Sequence, residues 1–398
     1  MEQDVIAQMQ KTKKSRTRLW VVLGVAAGLI AGIVIQELRF AGGLSIAQAE
    51  SLREVISIVK DVSIEEYTQD EIVDMMLSGV AQGLKDDYSF YFNAEALNGY
   101  QDDKQGIIRG GIGVSVVKDG AAPVKIVEVY ENSPAQAAGL KAGDVFVKIE
   151  NTDVRELSLD KVSELISGQV DTVVRVTVQR DGEKELAFDV KRAVVQTPMV
   201  KYRHIDDLTY IQLKSFNGNA VSLFKEAVSE AEKAGSKGII LDLRDNYGGD
   251  LSILTEIADT LLPEGEIIYA MDRRGNKILS KKSSAPCTKL PLAVLTNCNT
   301  ASASEALAGA IRDFGKGVLI GTKTYGKGIM QTTYPLANAG AFKLTTAKYY
   351  LPGGECIHGT GITPQYVISL PDGAESRPYS MTDEEDTQLQ KAIELLHS

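Results

Sequence analysis

Apolar positions recur along this chain with different periods, and each period marks a different stretch. Residues 19–35 form a run of 17 without a charge, at the lower limit for a helix that spans a bilayer. Between Ala49 and Leu84 the apolar residues Leu52, Val55, Ile56 and Val59, then Ile72, Val73, Met76, Leu77 and Val80, fall at helical spacing and predict two amphipathic helices. From Gly106 to Arg192 the period shortens to two, as in 113–117, 124–129 and 173–178, which predicts a compact, largely β module. Beyond Val194 apolar strand segments at 208–213, 238–243, 292–296 and 317–321 alternate with helical patterns at 220–234, 251–261 and 304–312. Such alternation predicts an α/β fold whose sheet is covered by helices.

Charge gives the first apolar run a direction. Lys11, Lys13, Lys14, Arg16 and Arg18 precede it, so residues 1–18 are expected in the cytoplasm, residues 19–35 as a transmembrane anchor, and the rest outside the cytoplasm. The expected location is therefore a bacterial cell membrane, single-pass, with the larger part extracytoplasmic. A cleaved signal peptide is the alternative, with Ala47, Gln48 and Ala49 as its small-residue site; Glu37 and Arg39 separate that site from the run, which favours the anchor. The net charge of −10 argues against a nucleic-acid partner bound through counterion release. Cys287, Cys298 and Cys356 cannot close a disulfide framework and match no zinc spacing. Of the three histidines, His397 is penultimate and is expected to fray. No metal or cofactor is expected, and any nucleophile would need a base other than histidine.

Within the β module, Gly111, Ile112, Gly113 and Val114 open a strand, and Ser133-Pro134-Ala135-Gln136-Ala137-Ala138-Gly139-Leu140-Lys141-Ala142-Gly143-Asp144 follows about twenty residues later. The second segment reads as a short helix that starts after Pro134, is ended by Gly139 and turns through Gly143 into a strand. The two motifs, in this order, resemble a PDZ domain. That resemblance implies that the backbone amides of Gly111 to Val114 receive a peptide carboxylate, and that the following strand takes the peptide as an added strand.

Two further stretches carry candidate chemistry. Asn297-Cys298-Asn299-Thr300-Ala301-Ser302-Ala303-Ser304-Glu305 lies between a predicted strand and helix, where a serine meets free amides and the positive end of a helix. Ser302 or Ser304 could be a nucleophile there, with the Ala303 amide facing an oxyanion, or could simply cap the helix in a box completed by Glu305. Taken alone, the stretch favours the cap. Thr324-Tyr325-Gly326-Lys327-Gly328-Ile329-Met330-Gln331 shifts the balance, because a surface lysine needs no glycine on either side. Tight backbone suits a lysine in a confined site, where desolvation favours the neutral amine that can accept a proton. Gln331 could hold that amine, and Gly248 and Gly249, after the apolar strand, offer a second backbone donor.

Together with Asp87-Tyr88-Ser89-Phe90-Tyr91 and the run from Leu241 to Gly249, these motifs resemble the carboxyl-terminal processing peptidases, over about residues 50 to 370. The resemblance implies a crotonase-like α/β serine protease core with N-terminal helices and an inserted PDZ domain. It implies Ser302 as nucleophile, Lys327, 25 positions later, as base, Gln331 assisting, and Ala303 with Gly248 or Gly249 as oxyanion donors. The expected domains are the tail 1–18, the anchor 19–35, a helical part of the core 44–105, the PDZ domain 106–193 and the protease core 194–398. The expected partner is a protein or peptide with a free C-terminus, and a homodimer through the N-terminal helices is expected as well. The competing reading is a catalytically silent PDZ scaffold that binds tails of exported proteins. Departures from the family pattern include Tyr247 where proline is usual, and Gln365 after Pro364 where aspartate is usual.

Overall fold

The computed structural model describes residues 43–118, 120–182, 184–284, 286–374 and 381–398. The expected tail and anchor, residues 1–35, lie outside the described residues, among which no helix is long and apolar enough to cross a membrane. The chain divides into two compact units, Met1–Lys85 and Asp86–Ser398, so the division falls inside the helical part expected at 44–105.

The first unit holds α1 (Ile46–Val62) and α2 (Gln69–Gly83). Each starts with a capping box, Ser45 with Gln48 and Thr68 with Glu71, in which side chains satisfy amides that the first turn leaves open. Ile72 and Ala81 are buried, while Leu52, Val55, Ile58, Val62, Met75 and Val80 are exposed.

The second unit opens with β1 (Phe90–Phe92) and α3 (Ala94–Gln105), which ends at Gly106 in the left-handed region. β2 (Ile107–Gly111) leads into the β module: β3 (Val114–Val117), β4 (Lys125–Val129), α4 (Pro134–Ala138), β5 (Val145–Ile149), β6 (Thr152–Asp153), α5 (Leu159–Ile166), β7 (Val173–Arg180) and β8 (Lys184–Lys191). β9 (Ala193–Gln196) leaves the module and pairs antiparallel with β2, so entry and exit form one ribbon. The sheet order is β3-β4-β5-β7-β8, which leaves β3 with one open edge. In β7 the alternation is clear: Val174, Val176 and Val178 are fully buried in the module's own core while Val173 is exposed.

The rest is the α/β core: β10 (Val200–Ile205), β11 (Leu208–Leu213), α6 (Ala220–Lys233), β12 (Ile239–Asp242), α7 (Leu251–Leu261), β13 (Gly265–Met271), β14 (Lys277–Ser283), β15 (Leu292–Thr296), α8 (Ala303–Asp313), β16 (Gly317–Gly321), β17 (Ile329–Pro335), β18 (Ala341–Tyr350), β19 (Tyr366–Val367) and α9 (Thr387–Leu396). The main sheet runs β10-β11-β12-β15-β16-β19 and is parallel from β11 onward, with β10 as an antiparallel edge. Every residue of β12 and β15 is buried because both faces are covered. Ile239 and Leu241 pack in a cluster with α6, α7 and α8, and Ile240 packs in another with Leu389 and Ala392 of α9. The helix α9 is also held by His397, whose Nε2 lies 2.7 Å from Asp207 Oδ1. That contact corrects the expectation of a frayed end.

A second, antiparallel sheet, β1-β18-β13-β14 with β17 paired to β18, was not legible in the apolar pattern. Its strands are half exposed and carry Lys, Thr and Ser, as in Lys277-Ile278-Leu279-Ser280-Lys281-Lys282-Ser283. Gln365 serves the main sheet, where its Oε1 accepts the Leu319 amide of β16 at 2.8 Å.

Candidate active site

Parallel strands that end at the same edge of a sheet place their following loops side by side, and ligands bind beyond those carboxyl ends. β12 and β15 are such neighbours, and the loops after them are tied together. Thr300 Oγ1 donates to the Leu243 carbonyl at 2.9 Å, the Ala301 amide to Asn246 O at 3.0 Å, and Ser304 Oγ to the same carbonyl at 2.8 Å. Ser304 is fully buried and committed to this bond. Ser302 instead faces a cavity of about 450 Å³, at a strand-to-helix turn with φ 58° and ψ −118°, a conformation uncommon outside glycine.

The same cavity is lined by Ala303, Gly248, Gly249, Lys327 and Gln331, so the structure brings all six core candidates to one place. The glycines are dictated by space. A Cβ at Gly248 would lie 2.8 Å from the Ala303 nitrogen, and one at Gly249 would lie 2.4 Å from Phe216 O. Their amides differ in availability. Gly248 N donates to Asn246 Oδ1 at 2.9 Å, whereas among the described residues neither Gly249 N nor Ala303 N has an acceptor. The Gly248 carbonyl accepts from Phe216 N and Ser215 Oγ, and a trans peptide points the Gly249 N–H the opposite way.

The sequence pattern did not reveal what joins the serine to the lysine. Glu305, fully buried, accepts the Ser302 amide at 2.9 Å and the Lys327 amide at 2.9 Å on Oε2. On Oε1 it accepts the Gly326 amide at 2.7 Å and the Thr324 hydroxyl at 2.6 Å. The capping box expected from Ser302 is thus present on the carboxylate side and extended to a second loop. Tyr349 adds a tie from the opposite side, its hydroxyl reaching the Ser302 carbonyl at 3.0 Å and the Lys327 carbonyl. Burial pushes that hydroxyl's pKa well above the usual tyrosine range, so it stays a donor. Glycines flank Lys327 for a visible reason: a Cβ at Gly328 would meet His358 N at 2.5 Å, and Gly326 has φ 93°.

The Lys327 amine lies 4.4 Å from the centre of the Tyr88 ring, and among the described residues no carboxylate pairs with it. Burial and the nearby Lys343 ammonium lower its pKa, against an upward pull from Asp86 and Glu305. A hydroxyl, a buried amine that gives up its proton readily and two unengaged amides are a set able to form and stabilise a tetrahedral oxyanion. Gln331 Nε2 donates to Thr345 Oγ1 at 3.1 Å, and among the described residues no hydrogen bond joins Gln331 to the lysine. At the end of α8, Asp313 pairs with Arg312 and accepts Gly353 N at 2.9 Å.

The model of Peptidase family S41 matches residues 207–368, and that of the PDZ domain matches residues 125–180. A carboxy-terminal-processing protease of Bartonella bacilliformis is 33% identical over 319 residues, covering 78% of this chain and 73% of that protein. This chain belongs to peptidase family S41. It is a serine peptidase of the C-terminal-processing kind, with a PDZ domain and a mixed α/β protease fold. A probable CtpA-like serine protease of Staphylococcus epidermidis is 28% identical over 377 residues, covering 91% of this chain and 76% of that protein. Among solved structures, the photosystem II D1 C-terminal processing protease superposes with a TM-score of 0.50 at 26% identity, covering 85% of this peptidase and 92% of that chain. A putative S41 protease from Bacteroides fragilis, at 16% identity and a TM-score of 0.56, shares the fold over 86% of this peptidase and 96% of that chain.

The candidate peptide-binding residues Gly111, Ile112, Gly113 and Val114 belong to the β module. The Ile112 and Gly113 carbonyls are engaged by Ala135 N and Tyr130 N, while among the described residues their amides have no acceptor. Replacing Glu305 by Ala would leave three amides and a hydroxyl in a buried site without their acceptor. Glu305→Ala is expected to lower stability by at least about 3 kcal/mol in urea unfolding and to abolish peptidase activity; a variant as stable as the wild type would contradict this role.

Proposed function

We propose that this S41 peptidase is a membrane-anchored endopeptidase that uses Ser302 as nucleophile and Lys327 as base, and that its PDZ domain captures the C-terminal tails of exported proteins. The observation that carries the reading is the shared cavity in which the Ser302 turn and the Lys327 loop are fastened to one buried carboxylate. In the forward step Ser302 Oγ bonds to the scissile carbonyl carbon while its proton passes to the Lys327 amine. The Ala303 and Gly249 amides receive the oxyanion, with Gly248 giving the loop its shape and Gln331 lining the wall. Collapse breaks the carbon–nitrogen bond as Lys327 returns the proton to the leaving amine, and water, deprotonated by the same lysine, then releases the acyl group from Ser302.

For the tail, the open edge of β3 and the unengaged Ile112 and Gly113 amides suit an extended peptide ending in a carboxylate. A route from module to core supports coupling. Glu128 of β4 lies 2.6 Å from the Lys201 amine and 3.4 Å from that of Lys214, whose pKa burial and Lys201 bring down to about 8. Lys214 directly precedes Ser215 and Phe216, which hold the Gly248 carbonyl. Residues 19–35 would supply the anchor, and the exposed apolar residues of α1 and α2 would supply a homodimer contact.

Ser302→Ala and Lys327→Arg should each abolish cleavage of an unfolded test protein, since guanidinium stays protonated. The neutral amine is the working form, so wild-type activity should rise with pH, with its midpoint below the ordinary lysine pKa because the shift is downward. Full cleavage by Ser302→Ala would refute the mechanism and a flat profile would refute the base.

Substrates that differ only in the last residue test the module. An amidated tail should be cut more slowly than its free, apolar counterpart; equal rates for both would remove tail recognition from the account.

A further inference from the structure

Lys343 is half-buried and lines the same cavity as Lys327, and its surroundings are unusual for a lysine in such a place. It sits on β18 opposite Phe90 of β1 and Thr333 of β17. Its amine donates to Tyr100 Oη at 3.1 Å and lies 4.8 Å from the centre of that ring, which is stacked on Phe92 at 4.9 Å. Among the described residues no carboxylate lies within ion-pair distance of it, so Tyr100 holds the side chain and no ion pair there offsets its charge.

The other charges at the cavity are committed. Lys104 pairs with Asp250 at 2.9 Å; burial opposes ionisation of Asp250, but Ser252 and Lys104 hold its pKa down at about 2. Asp86 accepts from Ser89 Oγ at 2.5 Å and from Tyr88 N at 3.1 Å, and Glu305 is filled by its four donors. Tyr88, pushed up to about 12 by burial and by Tyr325, stays neutral beside Lys327, as does Tyr349. Asp86 and Glu305 favour a charged Lys327, and the Tyr88 face does the same. One uncompensated charge of the same sign remains to oppose them.

We propose that Lys343 is a positioning residue for catalysis, whose unpaired ammonium, held by Tyr100 in the Ser302 cavity, repels a proton from the Lys327 amine and keeps that amine neutral and ready to accept the serine proton. The inference rests on the reading of Lys327 as the base. A positive charge beside a partly buried amine disfavours that amine's protonated form. Removing one should therefore move the pH profile and leave the catalytic groups themselves in place.

The test is the pH dependence of kcat/KM for the full-length chain in detergent, which reports the free enzyme. In Lys343→Met the midpoint should rise by roughly one unit, so that activity falls about tenfold at a pH well below both midpoints and recovers above them. Lys343→Arg, which retains the charge, should return the midpoint to the wild-type value. Lys343→Gln serves as a second neutral variant if the methionine variant fails to fold, and far-ultraviolet circular dichroism checks the fold of each. An unchanged midpoint in a folded neutral variant overturns the proposal, as does a variant whose defect is confined to KM, which would make Lys343 a substrate contact. Retained activity in Lys327→Ala would instead defeat the base assignment itself, so the two failures are distinguishable.

Discussion

The carboxylate of Glu305 is the constraint on which the site depends. Ser302 and Lys327 belong to loops at the ends of different strands, and neither loop has regular structure to fix it. By accepting the backbone amides of both residues, one buried side chain sets the serine and the lysine in a common frame. Tyr349 closes the frame by bridging their carbonyls. A buried carboxylate without donors would be costly, and four donors on two loops leave it satisfied only when both loops are in place. Assembly of the site is thus tied to folding of the core.

The sheet provides the second level of order. Because β12 and β15 are parallel neighbours, their carboxyl ends deliver the glycine loop and the serine turn to the same edge, and Asn246 and Ser304 lock the two together. Asn246 also takes the Gly248 amide, which leaves the next amide, that of Gly249, unengaged beside Ala303. The usual proline at position 247 is absent, and the loop is held in its place by side-chain bonds of Asn246, including 2.6 Å to Leu213 O.

Much of this was legible in the sequence. Strands with both faces covered read as continuous apolar runs, and helix α7 (Leu251–Leu261) has a single buried face, so the α/β core was recoverable from period alone. The glycines at 248, 249, 326 and 328 were informative because each sits where a Cβ would collide. The second sheet was hidden because its strands mix Lys, Ser and Thr with apolar residues. The roles of Glu305, Tyr349 and Lys343 were hidden for another reason: each acts on groups 16 to 47 residues away, and no local pattern encodes such contacts. Glu305 carried a partial signal, since its spacing from Ser302 announced a cap while concealing the link to Lys327.

In the proposed mechanism Lys327 makes Ser302 nucleophilic. Reaction of the full-length chain with a fluorophosphonate, followed by peptide mapping across a pH series, tests it most directly. The account predicts a single adduct on Ser302, formed faster as pH rises, and slowed at least about a hundredfold in Lys327→Ala. An adduct on another residue, or a Ser302 adduct that forms equally fast without Lys327, would contradict it.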